Sequence, residues 1–205
     1  MLRHKRLDAA AEETAFPEAS AGPAVPTDWS LDGRYIAYAH NPGTGFFLDL
    51  WALPLFGDRK PFPLVKTAFG ELNATFSPDG RSIAFQSNET GESQIYVQSF
   101  PVAGRRLNVS KDGGMQPVWR RDGKELFFIS ADGGMMAAPI DTAGEPEARM
   151  PTRLFNVSTN TNPLLSGRHY AVTKDGKRFL VNVIEEASRT MPLTVVVNWV
   201  AAVQK

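Results

Sequence analysis

The sequence predicts an all-β fold, an array of about four small, four-stranded antiparallel sheets. Three observations predict it. An Asp-Gly turn recurs at a near-constant spacing, alternating apolar residues follow each copy, and no segment between the copies has the apolar stripe of an amphipathic helix.

The turns are Trp29-Ser30-Leu31-Asp32-Gly33-Arg34, Phe76-Ser77-Pro78-Asp79-Gly80-Arg81, Trp119-Arg120-Arg121-Asp122-Gly123-Lys124 and Val172-Thr173-Lys174-Asp175-Gly176-Lys177. Their aspartates are 47, 43 and 53 residues apart, the length of a four-stranded propeller blade. Asp-Gly between two apolar runs marks a hairpin, because glycine takes a positive φ without a Cβ clash. Ile36 and Tyr38, Ile83 and Phe85, Leu126 and Phe128, and Phe179 and Val181 alternate after the turns, which puts them on one face of a second strand. Further strand-like runs follow at 48–53 and 62–65, at 94–97 and 106–109, and at 135–138 and 153–157. The 15 prolines and 17 glycines punctuate the chain too often for helices.

A lone blade cannot bury both faces of its sheet, so such repeats stack around an axis. The expected fold is a β-propeller with blades at about 26–68, 72–112, 115–158 and 168–199, a loose lead or remnant of a preceding blade at 1–25, and a tail at 200–205. The last unit supplies three strands, at 170–173, 178–183 and 193–199, and the lead offers no obvious fourth. An incomplete or open propeller that self-associates through its open blade edges is therefore expected. Trp29, Phe76 and Trp119 occupy one repeat position and are expected in the core.

Composition narrows the function. Lys plus Arg and Asp plus Glu are 22 each, which gives no electrostatic reason to expect nucleic acid as a partner. No run approaches the roughly 18 apolar residues of a membrane span, so no membrane insertion is expected. The absence of cysteine removes disulfides, thiolate metal sites and a cysteine nucleophile. No signal peptide is visible, which reads as cytoplasmic for the chain as written, and as extracytoplasmic or periplasmic for a fragment of a larger protein.

The run at 76–85, with its continuation Gln94-Ile95-Tyr96-Val97, resembles the repeat of the TolB-like (WD-repeat-like) β-propellers, and the other units are weaker copies. The segments at 95–101, 113–114, 117–120, 122–126 and 193–199 also resemble the C-terminal propeller region of bacterial receptor-type serine/threonine kinases. That resemblance implies a sensing or binding module whose kinase lies elsewhere in a longer chain.

Sharper motifs are weak. The Asp-Gly turns lack the alternating ligands and terminal glutamate of an EF-hand, so turn chemistry explains them. Arg34, Arg81, Lys124 and Lys177 read as solvated edge charges rather than an anion-binding ring. Gly91-Glu92-Ser93-Gln94-Ile95 lacks the second glycine of a nucleophile elbow. His4, His40 and His169 have no paired ligand spacing, the kinase loops are absent, and the Asn-x-Ser/Thr triplets at Asn73, Asn88, Asn108 and Asn156 read as coincidental. No catalytic, metal or cofactor site is expected.

Function on repeat scaffolds resides in loops. The second-to-third loops and the connectors between blades share one end of the array, at 41–47, 88–93, 111–116, 131–134 and 159–168. The candidate binding residues there are Asn41, Phe46, Asn88, Glu89, Glu92, Lys111, Gln116, Asp132, Asn160 and Arg168. The expected function is non-catalytic binding of a protein, peptide or small ligand, as the sensor part of a larger receptor. The alternatives are the propeller lid of a serine peptidase and a periplasmic TolB-like adaptor.

Overall fold

The computed structural model describes residues 24–41, 47–159 and 167–183 in full, and the strand pairing of 3–4, 13–14 and 194–196. In the segment read as a lead, β1 (Arg3–His4) pairs antiparallel with β2 (Glu13–Thr14). The first sheet runs in chain order through β3 (Ala24–Trp29), β4 (Tyr35–His40), β5 (Asp49–Pro54) and β6 (Phe62–Val65). The second comprises β7 (Glu71–Phe76), β8 (Ser82–Ser87), β9 (Gln94–Ser99) and β10 (Leu107–Asn108). In the third, β11 (Met115–Trp119), β12 (Glu125–Ile129) and β13 (Gly134–Asp141) are followed by β14 (Glu147–Ala148) and β15 (Thr152–Asn156), both paired with β13. The fourth has β16 (Tyr170–Val172), β17 (Phe179–Val181) and β18 (Thr194–Val196). Among the described residues no strand from the front of the chain joins this last sheet. The protein is an all-β propeller of four antiparallel blades, and among the described residues the sheets do not close into a ring.

Every blade starts with the same hairpin. In the second, Gly80 at φ 69° lets its N–H reach the Ser77 carbonyl at 2.9 Å. The Ser77 hydroxyl donates to Asp79 Oδ1 at 2.6 Å, and the Arg81 N–H donates to that oxygen at 3.0 Å. Ser30 with Asp32 and Thr173 with Asp175 repeat the arrangement. In the third blade Arg120 replaces the hydroxyl residue and grips Asp122 through Nε and Nη2 at 2.7 and 2.8 Å. Ser130, Asp132 and the glycine pair beyond build a related turn between β12 and β13. These bonds account for the Asp-Gly aspartates as turn formers.

Alternation along the strands gives each blade two apolar faces, and stacking buries them in turn. Ala37, Ala39, Leu50 and Ala52 of blade one meet Phe76, Ile83, Phe85 and Tyr96 of blade two. Ala84, Ile95 and Val97 on blade two's other face meet Trp119, Leu126, Phe128 and Ala138 of blade three. Phe127, Ile129, Met135 and Ala137 then meet Tyr170, Phe179 and Val181 of blade four. Each large side chain removed from water in this way contributes about 1.5–3 kcal/mol. The expectation that all three aromatic residues of the repeat position are core is corrected at one of them. Phe76 and Trp119 are 5% and 7% exposed, whereas Trp29 is 48% exposed. Trp119 lies against the preceding blade and donates its indole N–H to the Thr75 carbonyl at 3.2 Å. Trp29 belongs to the first blade and lies outside the buried clusters between the blades.

Candidate functional site

The inner strands β3, β7 and β11 each break register at the same place, opposite Ala37, before Ala84 and before Phe127. In the second and third blades the irregularity holds Asn73 and Gln116 at φ 54° and 58°. A non-glycine residue in that region costs on the order of 1–3 kcal/mol, so surrounding contacts must hold it there. Those contacts form a network on the propeller axis. Asn73 Nδ2 donates to Gln86 Oε1 at 3.1 Å, and the Gln116 N–H reaches the same oxygen at 3.2 Å. Gln116 Oε1 accepts the His169 N–H at 2.8 Å, and its Nε2 lies 3.2 Å from His169 Nδ1. The Gly167 N–H donates to Asn73 Oδ1 at 3.1 Å, and the Tyr170 hydroxyl donates to the Gln116 carbonyl at 2.9 Å. Burial raises the Tyr170 phenol well above its ordinary range, so it stays a neutral donor.

Above this network, at the loop end, lies a cavity of about 790 Å³. Its apolar wall is Phe47, Leu48, Leu72 and Met115; its polar groups come from Gln86, Asn88, Glu92 and Ser93. Glycines complete the lining. A Cβ on Gly114 would stand 2.7 Å from Ser110, 2.9 Å from Ile95 and 3.0 Å from Phe128, so only glycine lets the connector lie this close to the sheets. Asn88 Oδ1 accepts the Gly70 N–H at 2.9 Å, which ties the second blade's loop to the preceding connector. The Ser93 hydroxyl donates to the Gly114 carbonyl at 3.0 Å. Among the described lining residues, Glu92 is the one ionisable group.

Next to the cavity, Glu71 is fully buried. Thr67 donates to its Oε1 at 2.5 Å, and Oε2 has no hydrogen-bond partner among the described residues. Burial, with a smaller contribution from Asp49, pushes its carboxyl up to about 7.

The residues expected at the loop end scatter. Asn88 and Glu92 line the cavity. Glu89, one position away, pairs instead with Arg106, whose guanidinium lies over the Phe85 and Tyr96 rings. Gln116 is buried in the axial network. Asn41 is half-buried just after β4. Lys111 is exposed; its carbonyl accepts Gln94 Nε2 at 3.1 Å. Asp132 is held by Ser130 and by Arg153, which lower its carboxyl to about 2. Phe46 and Asn160 lie outside the described residues. Arg168 is placed differently from expectation: its Nη2 lies 3.9 Å from Asp28 Oδ1, and it lines a cavity at the Asp-Gly end. It stands in the connector two residues before β16. Asn73, Gln86 and His169 escaped the loop-based reading altogether. A usable signal existed, because Asn73, Gln116 and His169 each stand six residues before their turn aspartate, with Pro26 at that position in blade one.

No protein-family model matches the sequence, and no curated protein matches it. Solved structures do. A protein assigned as a 6-phosphogluconolactonase in Bacteroides uniformis superposes with a TM-score of 0.53 at 15% identity, over 91% of this chain and 59% of that one. A puromycin-hydrolyzing peptidase of Mycobacterium tuberculosis gives 0.53 at 24% identity, over 75% and 27%. A protein assigned as TolB in Agrobacterium tumefaciens gives 0.49 at 22% identity, over 65% and 50%. The likeness is one of fold. The chain spans between about a quarter and three-fifths of the length of these proteins.

Proposed function

We propose that the chain is a non-catalytic propeller module that binds a peptide, protein or small ligand in the cavity at its loop end, as the sensor part of a larger bacterial receptor. One observation carries the binding reading: the 790 Å³ cavity is lined by apolar side chains, amides and backbone, with Glu92 as its one ionisable group among the described residues. Its size suits a drug-sized ligand or a few peptide residues. General acid–base or nucleophilic chemistry needs paired groups within hydrogen-bond reach, and Ser93, the hydroxyl of the lining, is engaged with a backbone carbonyl. The sensor role rests on the resemblance of 95–101, 113–114, 117–120, 122–126 and 193–199 to receptor-kinase propellers.

The test is a ligand screen by thermal shift on the full chain, followed by titration of Leu72→Trp, which fills the cavity, and Glu92→Gln. Loss of binding in the filled variant, with no turnover of the ligand by the parent, is the expected result. Turnover of ligand abolished by one substitution in this cavity would replace the binding reading with an enzymatic one.

A further inference from the structure

Below the axial network lies a second cavity, of about 190 Å³, at the Asp-Gly end of the inner strands. It is built from equivalent positions of all four blades. The residues just before the turn aspartates, Leu31, Pro78, Arg121 and Lys174, all line it, and so do Trp29, Phe76, Trp119 and Val172 two positions earlier. The cavity is thus the mouth of the propeller axis, and substitution within the repeats has made it two-sided. Blades one and two contribute Trp29, Leu31 and Pro78, with Trp29 and Leu31 48% and 54% exposed. Blades three and four contribute the cations Arg121, Lys174 and Arg168.

The charges do not cancel. Asp28 is the one acidic residue among the described lining residues, and its Oδ2 is already taken by the Thr75 hydroxyl and the Phe76 N–H, each at 2.8 Å. Arg168 approaches its other oxygen at 3.9 Å, beyond hydrogen-bond distance. The mouth therefore holds three cations against one anion, with exposed tryptophan and leucine side chains on the opposite wall. A guanidinium fork suits a carboxylate, and a volume of 190 Å³ compares with about 30 Å³ for each liquid water, which is room for one residue-sized group.

We infer that this mouth binds a carboxylate carrying an adjacent large apolar group, the chemistry of a peptide C-terminus that ends in an apolar residue or of a free apolar carboxylic acid. The carboxylate sits against Arg121, Lys174 and Arg168, and the apolar group covers Trp29 and Leu31. This site is separate from the loop-end cavity and stands whether or not that cavity binds a ligand.

The probes are a pentapeptide ending in phenylalanine, its C-terminally amidated form, N-acetylphenylalanine, and inorganic phosphate, titrated into the full chain by calorimetry. The expected result is saturable binding of the free-acid peptide, weakened at least about tenfold by amidation, by Arg121→Gln with Lys174→Gln, and by Trp29→Ala. These are surface substitutions, and unchanged circular dichroism and melting temperature would show that the variants fold. Leu72→Trp in the loop-end cavity leaves this binding unchanged. If N-acetylphenylalanine binds as tightly as the peptide, the site takes small apolar carboxylates; if the peptide binds more tightly, it takes chain ends; both support the inference. Equal affinity of free and amidated peptides, phosphate binding as tight as the carboxylates, or no binding of any probe up to about 1 mM would overturn it.

Discussion

Trp119 and Trp29 occupy the same position of the same repeat, three residues before the turn aspartate, and meet opposite fates. Trp119 is wedged between blades two and three, with its indole N–H satisfied by the Thr75 carbonyl. Trp29 stands half-exposed at the axial mouth. Three of the four repeats put a large aromatic residue on that face, and the preceding blade decides whether it is core. In a stacked array a side chain's worth is set by its neighbour, so equivalent residues carry unequal energies at the middle and the end.

The largest effect is expected from Trp119→Ala, which removes a large side chain from a filled interface and should destabilise by about 3–5 kcal/mol in a denaturant titration. A loss no greater than that of Trp29→Ala would break the comparison. Glu71→Gln comes next, at the interface of blades one and two. Its carboxyl is raised from 4.5 to about 7, so its favourable contribution is complete below pH 4.5 and lost as pH rises through 7. The amide removes that loss and should stabilise by about 1–3 kcal/mol at pH 8, with little change at pH 4. Thermal melts across that range check it; a parallel offset at both pH values would show that Glu71 is not protonated on folding.

Trp29→Ala should cost about 1 kcal/mol or less, because half of the side chain already sees water. A cost equal to that of Trp119→Ala would mean that the first blade's ring is covered in solution, for instance by a second copy, and sedimentation across a concentration series would reveal such a dimer. Lys124→Ala, at an exposed position in the third blade's hairpin turn, marks the floor at about 0.5 kcal/mol or less.

The hairpins, the blade period and the alternation of faces were legible in the sequence because each is local. Asp32, Asp79, Asp122 and Asp175 bond within a few residues of themselves, and Ile83 and Phe85 point one way because strands alternate. Of the loop-end residues named from the sequence, Asn88 and Glu92 line the cavity there. Glu89 and Asp132 are in loops of the expected kind but are spent on Arg106 and Arg153, partners 17 and 21 residues away.

What the sequence determined by itself is the unit: a four-stranded blade opened by an Asp-Gly hairpin, apolar on both faces, repeated along the chain. What only the tertiary structure decided is how units meet on the axis. Asn73, Gln116 and His169 are 43 and 53 residues apart, and the first two bear a left-handed backbone that is uncommon for any residue but glycine and that asparagine tolerates better than glutamine. They form one network because stacking brings the inner strands together, where buried amides must find partners. The same convergence gathers Arg121, Lys174 and Arg168 opposite Trp29 and Leu31. Local physics fixes a strand's faces, but the company each face keeps depends on contacts between segments dozens of residues apart.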